Sequence, residues 1–179
     1  MFKRILVVVA VLVAVVVMYT AFQPNTYSVT RTSQPIKATP AEVFAQIQDF
    51  HNWGRWSPWH QLDPNMKQTY GGPINGTGAT YAWESAKEGV GSGRMEILSA
   101  TSPSDVKIKL DFLQPMSSTA ITDFKIAQTE SGGAQVTWTM SGDADFMTKM
   151  MSGLGLLDSM IGKDFEKGLA QLKTVAEGQ

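Results

Sequence analysis

A run of 18 residues without a charged side chain, residues 5–22, limits how this chain can fold more than any other feature of its sequence. As an α-helix the run would be about 27 Å long, which nearly spans the hydrocarbon core of a bilayer. Lys3 and Arg4 precede it, so the positive-inside rule keeps the N-terminus in the cytoplasm. We therefore expect residues 1–25 to be a single-pass anchor of the cytoplasmic membrane with a short linker, and residues 26–179 to form one domain on the extracytoplasmic side, which in a bacterium is periplasmic.

Two other interpretations of this run stay open. A cleaved signal peptide usually has a shorter apolar region that is followed by small residues at alternate positions, and Tyr19, Thr20 and Ala21 fit that pattern poorly. A helix buried in a soluble core is the third possibility. The residues favour the uncleaved anchor.

The charge balance and the absence of cysteine exclude several classes of protein. The chain has 15 Lys and Arg residues against 16 Asp and Glu residues, without a basic cluster, so we expect no nucleic-acid partner. A chain without cysteine forms no disulfide bond, zinc–thiolate site or thiol nucleophile. The two histidines, His51 and His60, lack the spacing of a zinc motif, and neither a Gly-x-Ser-x-Gly elbow nor a phosphate-binding loop occurs. We assign no metal ligand, cofactor or catalytic residue.

The remaining sequence predicts an α+β domain. Thr39, Pro40 and Glu42 form a capping box with proline at the first helical position, so a helix begins there and runs to about Asn52. From Met66 onward, apolar and charged residues alternate in runs that are separated by turn residues, which is typical of an antiparallel sheet with one dry face. A long amphipathic helix at the C-terminus is expected to cover that face. Its apolar positions are Leu157, Ile161, Phe165, Leu169, Leu172 and Val175.

Several separated motifs resemble those of the START/SRPBCC superfamily, and within it the polyketide cyclase/dehydrase-like group. The resemblance covers about residues 27–175. In chain order its motifs are Thr39-Pro40-Ala41-Glu42-Val43-Phe44, Asp49-Phe50 through Trp53, Trp56-Ser57-Pro58-Trp59, Asp63-Pro64, Gln114-Pro115-Met116, residues 136–142 and residues 161–169. The resemblance implies a helix-grip fold, in which a curved antiparallel sheet wraps around the long C-terminal helix and leaves a cavity for an apolar small molecule or lipid.

The alternation of the strands predicts which side chains face such a cavity. Ile108, Leu110 and Phe112 share one face of their strand, as do Thr122, Phe124 and Ile126 of the next. The candidate ligand-binding residues on the dry face are Tyr81, Trp83, Met95, Phe112, Phe124, Trp138 and Met140, with Trp59 and Met160 as contacts at the rim or on the helix. Methionines and glycines between residues 146 and 157 are compatible with a mobile gate, or with ordinary core packing.

These features lead to three hypotheses about function. The first is a membrane-anchored, extracytoplasmic module that binds an apolar small molecule or lipid without transforming it. The second is an enzyme of the polyketide cyclase or dehydratase type that uses the same cavity. The third is an envelope interaction protein whose cavity has collapsed. An ionisable pair inside the cavity would favour the enzyme, an apolar lining would favour the binding module, and a cavity filled by its own side chains would favour the interaction protein.

Overall fold

The structure, a computed structural model, describes residues 2–178. Its helices are α1 (Phe2–Ala21), α2 (Pro40–Ile47), a 3₁₀ helix (Phe50–Arg55), α3 (Pro58–Leu62), α4 (Phe146–Gly153) and α5 (Leu156–Ala176). Its strands are β1 (Thr26–Thr32), β2 (Lys67–Gly71), β3 (Thr80–Glu84), β4 (Ser92–Thr101), β5 (Asp105–Gln114), β6 (Ser118–Gln128) and β7 (Ala134–Asp143). The charge-free run is therefore helical up to Ala21, and the helix begins three residues before the run and includes Lys3 and Arg4.

The seven strands form one antiparallel sheet in the order β1-β7-β6-β5-β4-β3-β2. Consecutive strands from β2 to β7 are joined as hairpins, and β1 pairs with β7 at the far edge. Alternate residues are buried along β6 and β7, and Phe124 lies directly opposite Trp138. This sheet with its long C-terminal helix confirms the predicted α+β helix-grip fold.

The first helix of the domain begins where the capping box predicts. The Thr39 hydroxyl accepts a hydrogen bond from the Glu42 amide at 3.3 Å, and the Glu42 carboxylate accepts one from the Thr39 amide at 2.7 Å. The helix ends earlier than expected, because Asp49 caps a separate 3₁₀ helix by accepting a hydrogen bond from the His51 amide at 2.9 Å. Helix α2 buries Val43, Phe44 and Ile47 against the inner face of the sheet.

Helix α5 covers the same inner face, as its spacing of apolar residues predicts. Its burial is graded along the helix: Phe165, Leu169 and Leu172 are buried, whereas Ile161, one turn before Phe165, and Leu157, two turns before it, are only half-buried. A Cβ on Gly168 would lie 2.9 Å from the Trp138 ring, so the absence of a side chain there lets the helix approach the sheet. The C-terminal half of α5 is thus the part that closes the core.

Arg31 of the edge strand β1 fastens α5 to the sheet. Its Nε donates to Glu166 Oε1 at 2.7 Å, and Nη1 and Nη2 donate to the two carboxylate oxygens of Asp158 at 2.9 Å. These hydrogen bonds lower the pKa of Asp158. The guanidinium lies across Gly162, where a Cβ would overlap it. One side chain therefore holds two turns of the helix against the edge strand β1.

Candidate ligand-binding site

The middle of the space between the sheet and α5 is filled by buried aromatic rings, which we call the aromatic cluster. Trp138 and Phe165 stack with their ring centres 4.0 Å apart, and Phe124 lies 4.7 Å from Trp138. Trp53 and Trp56 complete the cluster with a centre-to-centre distance of 4.7 Å. All five side chains are at least 94% buried, so this part of the interior is solid.

One polar atom in the aromatic cluster has no hydrogen-bond partner among the described residues. Trp53 Nε1 donates to the Ile47 carbonyl at 2.9 Å and Trp56 Nε1 donates to the Gln46 carbonyl at 3.3 Å, whereas the buried Trp138 Nε1 donates to no atom of residues 2–178. A buried donor without a partner costs roughly 1–3 kcal/mol. An acceptor oxygen placed beside this ring would recover that cost.

The inner face is less completely covered at one end, which we call the open end. It lies where β3 and β5 end and β4 and β6 begin, and its apolar side chains are half-buried rather than buried. The rings of Trp83 and Phe112 meet edge to face at 6.3 Å, and Trp59 of α3 packs against Trp138 at 6.0 Å and Phe165 at 6.4 Å. The members of the open end are Trp59, Trp83, Leu110, Phe112 and Ile161.

The opposite end of the same face is closed. Ile97, Val106 and Ile108 have no exposed surface there, and α2 packs over β5 and β6. The contrast arises because α2 and the C-terminal half of α5 cover one end, whereas the open end is bordered by α3 and the half-buried start of α5. Partly exposed apolar surface of the inner face is therefore found at the open end, beside α3 and the start of α5.

The structure separates the nine candidate ligand-binding residues into three groups. Tyr81, Met95, Phe124, Trp138 and Met140 are buried in the core. Trp59, Trp83 and Phe112 lie at the open end. Met160 is 61% exposed and does not join the others, because on a helix it points about 140° away from Phe165, which faces the core.

Two residues of the open end, Leu110 and Ile161, were not among the candidates. The alternation along β5 and the spacing along α5 assign both to the apolar face, so a signal for them exists in the sequence. The sequence pattern does not predict how deeply Leu110 and Ile161 are buried, because that depends on where α3 and α5 lie over the sheet.

One ionisable group with a strongly lowered pKa lies on the face of the sheet opposite the open end. Asp111 is on the outer face of the sheet, where it accepts hydrogen bonds from Thr119 Oγ1 at 2.7 Å and Arg94 Nε at 3.0 Å and pairs with Lys109 Nζ at 3.0 Å. The hydrogen bond from Thr119, with those from Lys109 and Arg94, lowers the pKa of Asp111 to about 2. A surface depression of about 340 Å³ lies beside it, and Tyr81 and Met95 contribute to its wall.

Of the two histidines, His51 lies away from the open end, whereas His60 borders it, because its partner Gln68 is paired with Trp83 across β2 and β3. His51 Nδ1 is 2.8 Å from Asp49 Oδ1, and its ring stacks on Tyr70 with 4.2 Å between centres. His60 Nε2 lies 3.3 Å from Gln68 Nε2, and burial lowers the pKa of His60. No group of three or more His, Asp or Glu side chains within residues 2–178 is placed to hold a metal ion.

A curved antiparallel sheet that grips a C-terminal helix, with apolar side chains between them, defines the helix-grip class of domains. The family model described as "Polyketide cyclase / dehydrase and lipid transport" matches residues 27–177. The chain therefore belongs to this family, as its motifs indicated, and the match begins just after α1.

Solved structures share the fold at low sequence identity. Protein CV1439 from Chromobacterium violaceum is 16% identical, with a TM-score of 0.58, over 86% of this chain and 99% of that one. Protein SA2116 from Staphylococcus aureus, described as of unknown function, is 13% identical with a TM-score of 0.64 over 88% and 97% of the two chains. Ara h 8.0201 is 10% identical with a TM-score of 0.56 over 86% and 99%. No curated protein matches the chain.

Proposed function

We propose that this protein is a membrane-anchored, extracytoplasmic module that binds an apolar small molecule or lipid at the open end of its inner face. The observation that carries the proposal is the half-buried apolar surface of Trp59, Trp83, Leu110, Phe112 and Ile161, beside an otherwise closed core. Apolar side chains that neighbouring elements cover only in part offer surface that an apolar ligand can bury. The lipid-transport part of the family description agrees with it.

The chemistry of the site indicates the kind of ligand. Its lining is apolar and aromatic, so burial would supply the affinity. The unpartnered Trp138 Nε1, in the aromatic cluster that borders the open end, favours a ligand with an acceptor oxygen at its inner end over a pure hydrocarbon. Tyr81, whose hydroxyl contacts Met66 Sδ at 3.9 Å and whose pKa is raised by burial, remains neutral and acts as packing surface.

The anchor is the second part of the proposal. Helix α1 has a mean hydropathy of 2.6 over its most apolar window, and only 6% of that window is buried inside the molecule. A core helix of a soluble domain is mostly buried, so this exposure favours the membrane over a soluble core. An alkaline phosphatase reporter fused after Asn25 is expected to be active in a bacterial host, whereas activity of a cytoplasmic reporter alone would contradict the orientation.

Ligand binding is tested by native mass spectrometry of the full chain, extracted gently from the membrane in which it is expressed. We expect a copurifying small molecule of defined mass. Phe112→Asp places a charge in the open end and should abolish binding of this molecule. The control Leu98→Asp, at a 41% exposed position of β4, should retain the bound molecule. Circular dichroism establishes that both variants are folded.

Two results would contradict the proposal. A wild-type chain without any copurifying molecule favours the interaction-protein hypothesis, to which the filled aromatic cluster lends support. A molecule that stays bound to the folded Phe112→Asp variant lies elsewhere, with the depression beside Asp111 as the next place to examine.

A further inference from the structure

Helix α4 and the beginning of α5 form a corner that packs beside the end of α1. Tyr19 Oη donates a hydrogen bond to the Gly153 carbonyl at 2.9 Å. A Cβ on Gly153 would lie 3.0 Å from both the Tyr19 ring and the Gln23 side chain, so the two backbones are close. The Ala144 amide also donates to the Asn25 carbonyl at 2.8 Å, and Lys149 Nζ donates to the Asn25 side chain. We define the corner as residues 145–160. These contacts hold it beside Tyr19.

The corner exposes several large apolar side chains. None of the eight residues of α4, all of which the structure describes, is buried. The apolar side chains exposed on the corner, with their exposed fractions, are Phe146 (52%), Met147 (47%), Leu154 (61%), Leu156 (49%) and Met160 (61%). A contiguous apolar surface on a protein marks a place where a partner or a membrane binds.

The turn between β5 and β6 lies at the same end of the sheet as the corner. The start of β1, which follows α1, pairs with the end of β7, and the end of β7 pairs with the start of β6. The β5–β6 turn is therefore at the same end of the sheet as the exit of α1. Met116 in this turn is 70% exposed. By contrast, Ile74 in the β2–β3 connection lies at the opposite end of the sheet and is 75% exposed.

We propose that the corner and the β5–β6 turn lie in the lipid surface of the membrane that α1 crosses, with their apolar side chains at the boundary between headgroups and acyl chains. The inference rests on the proposed anchor. Since the charge-free run is about 27 Å long, Tyr19 near its end belongs at the interface, where tyrosine is enriched. Hydrogen bonds from Tyr19 and to Asn25 hold the corner at that depth. Amphipathic elements at an interface bury their apolar side to about 5–10 Å.

The charges of the corner indicate what drives this contact. Asp145 accepts a hydrogen bond from the Thr148 amide, Asp158 is paired with Arg31, and Lys149 is engaged by Asn25. The corner therefore offers no cluster of basic side chains to anionic lipids. Apolar burial is left as the driving force, and ionic strength is expected to have little effect on it.

Because the chain has no cysteine, single-cysteine variants can carry a nitroxide spin label at one chosen position. The full chain is reconstituted in phosphatidylcholine vesicles, and collisions of each label with oxygen, which concentrates in lipid, are compared with collisions with a water-soluble nickel chelate. Met147→Cys and Leu154→Cys report on the corner. Ile74→Cys is the matched exposed control, and Val9→Cys, at a 51% exposed position of α1, reports on the anchor.

We expect the oxygen-to-nickel collision ratio to be several-fold higher at positions 147 and 154 than at position 74, and highest at position 9. A high ratio at position 9 with corner labels as water-accessible as position 74 would overturn this inference and leave the anchor intact. Corner labels protected from both reagents would also overturn it, since a protein surface then covers them. A water-accessible label at position 9 would instead refute the proposed anchor.

Discussion

Replacing Phe165 by Ala removes the ring on which the contact between α5 and the sheet depends. Phe165 is 1% exposed and stacks on Trp138 with 4.0 Å between ring centres. Its removal therefore leaves a cavity in the core. Burial of a phenylalanine side chain removes about 150–250 Å² of apolar surface from water, which stabilises the fold by about 25 cal/mol per Å². Alanine buries only a small part of this surface, so most of the stabilisation is lost. With the cavity and the lost stacking, we expect the free energy of unfolding to fall by about 3–5 kcal/mol.

The assay is urea unfolding of the full chain in a mild non-ionic detergent, followed by tryptophan fluorescence. All five tryptophans lie after residue 26, so the signal reports on the domain and not on α1. Met160→Ala is the matched control on the same helix, because Met160 is 61% exposed, and we expect it to change the unfolding free energy by less than about 0.5 kcal/mol. A loss below about 1 kcal/mol for Phe165→Ala, or equal losses for both variants, would refute the assignment of the buried helix face.

Three further substitutions test other contacts by the same unfolding assay. The pKa of Asp111 in the folded state, about 2, lies below its ordinary value of 3.8, so the ionised carboxylate stabilises the fold fully above about pH 4 and loses this effect as the pH falls to about 2. Across that window the unfolding free energy of the wild type should fall by about 1–2 kcal/mol more than that of Asp111→Asn. Parallel pH dependences of the two proteins would contradict this. Arg31→Met should cost about 1–2 kcal/mol and speed amide exchange at the start of α5, whereas Lys67→Met, at a 74% exposed side chain, should do neither. Thr39→Ala should cost about 1 kcal/mol through the lost cap, and Thr39→Ser should restore most of it; equal losses would show that the hydroxyl is not responsible.

The elements that follow from local pattern were predictable from the sequence. Alternation identifies the buried side of β6 and β7, including Phe124 and Trp138, and the residues around Thr39 define the start of α2. These signals are strong because a one-residue shift in a strand would turn every apolar side chain to water.

Features that depend on distant parts of the chain were not predictable. The partners of Arg31 lie 127 and 135 residues away, so no local pattern links an arginine on the apolar side of β1 to two carboxylates on α5. Asp111 belongs to the wet side of β5, as its position in the alternation indicates, yet it is only 9% exposed because side chains of the neighbouring strands cover it. Met160, expected as a contact at the rim or on the helix, is 61% exposed, and its distance from the other candidates depends on how α5 lies over the sheet.

The open end and the exit of α1 are at the same end of the sheet, and this relation joins the two proposals. Trp83 and Phe112 lie near the ends of β3 and β5, the end at which β1 begins after α1. A lipid-like molecule with about 400 Å² of apolar surface would need about 10 kcal/mol to enter water, which makes transfer through water slow. A corner seated in the bilayer surface would place the start of α5, and Ile161 on it, next to the lipid. The ligand would then pass from the membrane to the inner face beside Ile161, and the anchor would serve to hold the open end at the source of the ligand.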